Sequence, residues 1–164
     1  MAIDAYLSIG GIKGESQDDK HKGWIELLSL DFGVDQPRSA TASTSGGHTA
    51  ERAELDDILV SKLADLSTPI LLQYCAMGKT IPKAKVEVMR ADGNGNPIKY
   101  FEINLENVLV SMIKPGLRQG GVMRESVCLK FSRVTWKYSQ QSIGGGTGGN
   151  TSGGWDLAKN VIAS

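Results

Sequence analysis

The 164-residue chain balances 18 basic against 18 acidic residues, with 40% hydrophobic and 22% charged positions. That is the composition of an ordinary globular protein, long enough to bury about 70% of its unfolded surface in a single domain spanning 1–164. No run approaches the 18 or so apolar residues of a membrane-crossing helix, and Met1-Ala2-Ile3-Asp4-Ala5-Tyr6 has neither region of a secretory signal peptide.

The charge is zero in sum and uneven in place. Residues 1–78 hold 12 acids and 6 bases, and residues 79–164 hold the reverse. Such a split suits a molecule with complementary surfaces that meet head to tail. No dense basic patch with interleaved aromatics appears, so nucleic acid is not the expected partner.

In chain order, Ala2 to Gly10 alternates Ile3, Ala5, Leu7 and Ile9 against polar neighbours, a half-buried strand. A turn-rich Gly10–Ser16 exit and a charged loop through Lys22 follow. Trp24 to Val34 reads as one strand, with Trp24, Glu26, Leu28, Leu30 and Phe32 on one face and Ile25, Leu27, Ser29 and Asp31 on the other. Both faces are partly apolar, the pattern of a central strand or one that touches another chain. Gln36 to Ala50 is rich in Ser, Thr, Ala and Gly and reads as a mobile loop. Glu51 to Asp65 fits a strand or a helix.

Ser67 to Gly78 is the one convincing helix. Ser67 suits the N-cap, Pro69 the first turn, and Gly78 the left-handed stop. Ile70, Leu71, Tyr74 and Cys75 form one apolar stripe, leaving a polar side with Gln73 and Lys79. Its ten or so residues, about 68–77, span roughly 15 Å.

Pro82 to Arg90 is a clean strand, joined through Asp92–Pro97 to Ile98–Leu105 as a hairpin. Val108, Val110 and Met112 make the next strand. Pro115 to Arg124 is a loop with a basic tip. In Glu125 to Tyr138 the apolar phase flips near Arg133, which predicts a bulge or a change of sheet. Gly144 to Gly154 reads as a flexible linker, and Trp155 to Ala158 as a docking tail. Seven or eight strands and one helix predict a mainly β fold, a small antiparallel barrel or sandwich.

No catalytic, metal or cofactor site is expected. Gly78-Lys79-Thr80 follows a helix instead of opening one and lacks the upstream glycine of a phosphate loop. Asp92, Asn94 and Asn96 imitate a calcium loop, but Pro97 and Ile103 stand where Gly and Glu are needed. His21 and His48 lie in polar sequence expected to be solvated loop. Cys75 and Cys128 read as buried reduced thiols.

The order of pieces resembles the Hcp (hemolysin-coregulated protein) family of type VI secretion. The likeness lies in Asp4-Ala5-Tyr6-Leu7, Ile12–Ser16 with His21, Ile25-Glu26-Leu27-Leu28, Asp65 with Ser67-Thr68-Pro69, and Gly78-Lys79. It continues in Ile81–Ala84, Glu106–Ser111 and Gly154-Trp155-Asp156. The resemblance implies a two-sheet antiparallel β-barrel with one flanking helix. It implies a homo-hexameric ring with a wide channel, and rings stacked as a tube inside a contractile sheath. A VgrG-type spike would cap the tube, with small effector proteins carried in the lumen. The subunit would be cytoplasmic before firing and then exported through the machine; no room is expected for a toxin domain before Ser164. A related phage-tail-tube protein is the alternative. On this footing Ser29 and Asp31 are expected to face lumen and cargo, and Arg118 and Arg124 to contact an acidic loop of the next ring.

Overall fold

The computed structural model describes residues 4–37, 52–144 and 147–164; His48 and most of the expected loop at 36–50 lie outside them. In chain order the strands are β1 (Asp4–Ile9), β2 (Ile25–Leu27), β3 (Ser29–Asp31), β4 (Val34–Asp35), β5 (Glu54–Leu55) and β6 (Ile58–Leu63). After α1 (Thr68–Met77) come β7 (Thr80–Ala91), β8 (Pro97–Gly116), β9 (Arg124–Lys130), β10 (Arg133–Gln141), β11 (Thr147–Asp156) and β12 (Val161–Ile162).

Two layers share one apolar core. The first has the antiparallel order β12-β11-β10-β8-β7-β1-β2. Its inward residues are Ala5, Leu7 and Ile9 of β1, Val86 and Val88 of β7, and Ile103 and Leu105 of β8, the period-2 alternation read from sequence. The second layer is β3-β6-β9, joined to the first through β8. The N-terminal half of β8 pairs with β10 and its C-terminal half with β9. Ile58 and Val60 of β6 and Val127 and Leu129 of β9 face the same core. A short separate ladder joins β4 and β5.

Phase changes mark where the chain moves between layers. At Leu28 the Trp24–Val34 run breaks, so it is not one strand: β2 pairs with β1, while β3 pairs with β6. Ile25 and Leu27 point inward, Leu28 turns out, and from there Leu30 packs on the core while Asp31 is exposed. The ladder therefore does not close into the expected barrel. A single bond, Leu28 N–H to the Ser61 carbonyl at 2.7 Å, spans the step. In β8 the inward set shifts from Ile103 and Leu105 to Val108 and Val110 across Asn107 (φ 52°), and β7 shifts with it from Ala84 to Ile81, so their pairing runs on unbroken there; the bulge in β8 lies between Val110 and Met112, against β9. The expected separate strands 98–105 and 108–112 are thus one bulged strand. The flip near Arg133 is a change of layer within one continuous sheet: β9 and β10 both pair with β8, but β9 goes on to β6 and β10 to β11.

The helix stands where the sequence predicts, with a different cap. Ser67 is already helical (φ −76°, ψ −22°) and its side chain caps nothing. Asp65 does that work: its carboxylate accepts from Ser67 N–H at 2.9 Å, and Thr68 Oγ1 accepts from Asp65 N–H at 3.0 Å. Gly78 ends the helix at φ 64°, with Gly78 N–H on the Cys75 carbonyl and Lys79 N–H on that of Tyr74. Leu71 is fully buried and Tyr74 and Cys75 partly so. The outer side carries exposed Ile70 and Met77, not only Gln73 and Lys79.

The glycine-rich stretch expected as a flexible linker is instead the body of β11, in register with β10 from Val134↔Trp155 to Ser139↔Asn150. Gly154 shows why side chains are missing there. A Cβ on it would lie 2.7 Å from both the Ala163 and Val134 carbonyl oxygens.

Candidate functional site

Two ionic clusters lock the fold. On the outer face of the first layer, His21 is buried, not solvated as expected. Its ring stacks on Tyr6 at 4.2 Å and meets the edge of Trp24 at 4.9 Å. Nδ1 lies 2.6 Å from Asp18 and Nε2 2.7 Å from Glu87; an imidazolium donates from both nitrogens and satisfies both carboxylates. The bond from His21 holds the Asp18 carboxyl below its ordinary range. The network runs on through Lys99, which joins Glu87 at 3.3 Å and also Glu102, to Asn104, which donates to Glu102 at 2.7 Å. Burial opposes ionisation of Glu102, but the bonds from Lys99 and Asn104 outweigh it and lower its pKa. This cluster fixes the 10–24 loop to β7 and β8.

The second cluster lies inside. Lys62 and Glu125 are register partners on β6 and β9, both pointing into the core. Lys62 Nζ is paired with Glu125 Oε1 and lies 3.0 Å from Asp65. Thr68 Oγ1 donates to the same Glu125 oxygen at 2.9 Å. The first turn of α1 is therefore tied to both strands. Its signal was present in sequence, since Lys62 and Glu125 occupy the apolar phase of Ile58/Val60 and Val127/Leu129. The His21 cluster has no comparable mark: its carboxylates come from a charged loop and a wet strand face.

The expected contact residues stand apart from both clusters. Ser29 and Asp31 share the outward face of β3, and Ser29 Oγ is hydrogen-bonded to Ser61 Oγ across the register pair. Arg124 opens β9, and Arg118 sits in the β8–β9 connection, which is shorter than expected because Pro115 and Gly116 belong to β8. Both arginines are exposed, and among the described residues neither side chain has a partner. The structure thus brings Ser29 next to Asp31, and Arg118 near Arg124, but separates the two pairs. β3 and β9 are each antiparallel to β6, so Asp31 at the end of β3 and Arg124 at the start of β9 lie at opposite ends of that layer.

Among the described residues no three His, Cys, Asp or Glu side chains are placed to hold a metal ion. Cys75 and Cys128 are unpaired and half-buried, and burial, aided by Asp57, pushes the Cys128 thiol up, away from a reactive thiolate. The Asp92 carboxylate accepts from Asn94 and Asn96 N–H at 2.8 Å each, closing the β7–β8 hairpin turn. Among the described residues no helix is long and apolar enough to cross a membrane. A rigid β scaffold whose buried charges tie its own strands, and whose unpaired charges and apolar side chains lie outside, belongs to the class of structural and interaction proteins.

Comparison with known proteins places the chain within that class. Residues 6–138 match the family described as "Type VI secretion system effector, Hcp". Protein hcp1 of Pseudomonas aeruginosa is 37% identical over 166 residues, covering 99% of this chain and 100% of that one. The solved structure of a type six secretion system protein superposes with a TM-score of 0.91 at 27% identity, covering 99% and 100%. Hcp1 from Salmonella typhimurium gives 0.79 at 33% identity over the same shares. The chain belongs to the Hcp family of type VI secretion system proteins.

Proposed function

We propose that this protein is a tube subunit of a type VI secretion system. Copies close into hexameric rings, the rings stack, and the open centre carries small effector proteins. The subunit assembles in the cytoplasm within a contractile sheath and under a VgrG-type spike, and leaves the cell through the system itself. Ser29 and Asp31 face the lumen and touch cargo; Arg118 and Arg124 face the next ring. It is not an enzyme.

The observation that carries this reading is the match to the Hcp family along most of the chain. The surface agrees with it. Large apolar side chains stand exposed on either side of β3 (Leu28 and Phe32), in the helix (Ile70, Leu72, Met77) and in the β8–β9 loop (Leu117, Val122, Met123). So many exposed apolar groups on a chain of this size mark contact surfaces. Size-exclusion chromatography with native mass analysis tests the reading: a hexamer is expected. A monomer across micromolar concentrations would overturn it.

A further inference from the structure

The two layers together present unlike ends. At one end is an open apolar cleft of about 280 Å³ lined by Ala5, Leu30, Phe32, Val88, Tyr100 and Phe101. Its floor is core, since Ala5 and Val88 are buried, while Phe32 is 42% exposed and stacks on Phe101 at 5.7 Å. The cleft is smaller than the roughly 300–1,000 Å³ of sites for drug-sized ligands, yet it can receive side chains. At the other end the loop 117–123 projects Leu117 and Val122, 66% and 61% exposed.

The ends are opposite because Phe32 follows the C-terminus of β3, whereas the loop enters the N-terminus of β9. Along β6, the Asp31↔Leu59↔Cys128 row is four residues, about 13 Å, from the Leu63↔Arg124 row. Charge follows the same axis. Exposed Asp4 and Asp31 flank the cleft residues Ala5, Leu30 and Phe32, and Arg118 and Arg124 flank the loop tip. The cleft side also carries Arg90, whose guanidinium lies over Tyr100 at 4.8 Å. The Arg90 Nε–H is buried with no acceptor among the described residues.

We propose that the 117–123 loop of one copy docks in the Phe32/Tyr100/Phe101 cleft of a second copy, joining subunits of successive rings head to tail. Val122 and Leu117 fill the cleft, and Arg118 and Arg124 approach Asp4. The contact is heterologous, between different patches, so its repetition has no built-in end. It rests on the tube-subunit reading and gives stacking its residues.

Cross-linking tests it in a Cys75→Ser/Cys128→Ser background. Oxidation of the Tyr100→Cys/Val122→Cys pair is expected to give a ladder of covalent species extending beyond the hexamer, while each single cysteine stops at the dimer. Val122→Asp, in an exposed loop, is expected to leave hexameric rings intact and abolish sedimentable tubes. Rings that stack with no ladder, or tubes that survive Val122→Asp, would overturn the docking and leave the tube reading standing. A ladder ending at the hexamer would place the contact within a ring and also overturn it. Absence of rings in the unmodified protein would remove both.

Discussion

The two layers differ in what they leave undone. On the first layer's outer face, one cluster of charges is satisfied within the chain: His21 bridges Asp18 and Glu87, and Lys99 ties Glu87 to Glu102. The second layer has its ion pair inside, at Lys62 and Glu125, and leaves Asp31, Arg118 and Arg124 outside without partners among the described residues. Phe32, Leu117 and Val122 are exposed around the same layer. Groups a chain pairs for itself define its fold; groups it leaves unpaired on a rigid frame are available to another chain. The contrast assigns stability to the first set and assembly to the second.

The largest effect should come from breaking the internal pair. Lys62→Met leaves the Glu125 and Asp65 carboxylates without their cation in the core, and is expected to destabilise by about 3–5 kcal/mol in urea unfolding. Lys62→Met/Glu125→Leu should recover most of that loss, because two apolar groups replace the pair. A loss under 1 kcal/mol for the single variant would mean the cluster is solvated and the contrast misplaced.

Next comes the outer lock. His21→Ala strands two carboxylates and is expected to cost roughly 1.5–3 kcal/mol. The same lock sets an acid limit. Asp18 and Glu102 have folded pKa values below their ordinary 3.8 and 4.5, so the unfolded state binds their protons first. Their stabilisation is complete above those values and is lost as pH falls through the lower folded ones. Stability measured between pH 6 and 3 should therefore drop below about pH 4.5, and less steeply in His21→Ala; parallel curves would contradict the assignment.

Changes in the unpaired set should leave stability nearly unchanged. Arg118→Glu with Arg124→Glu is expected within about 0.5 kcal/mol of the parent, while tubes disappear from sedimentation. Unchanged sedimentation would end the stacking role of these arginines. Ser29→Tyr removes only the bond to Ser61, worth about 1 kcal/mol; rings should form normally and retain effector poorly. Loss of the hexamer instead would place Ser29 in a subunit interface.

The sequence made β1, β7, β8, the helix and the phase change near Arg133 legible because their apolar periods are strong. It hid what depends on long-range register. Gly148-Gly149 and Gly153-Gly154 carry no apolar period, so nothing local shows that β10 holds that stretch as β11. The His21 site joins residues 66 apart, and no local pattern marks it. Asp65 displaced Ser67 as the cap because its carboxylate also meets Lys62, a contact set by the pairing of β6 with β9. The barrel expected from the family likeness is interrupted at Leu28, where one outward residue shifts the strand to a new partner. Of the contact residues, the sequence grouped Ser29 and Asp31 on one face with Ile25 and Leu27, but the step at Leu28 turns the later pair outward, and no local pattern shows that they and the arginines occupy opposite ends.

Electron microscopy of the purified protein tests the central claim most directly. Six-fold rings with an open centre, singly or stacked end to end, are expected. Compact single particles the size of one 17.6 kDa chain, with no rings at any concentration, would contradict it.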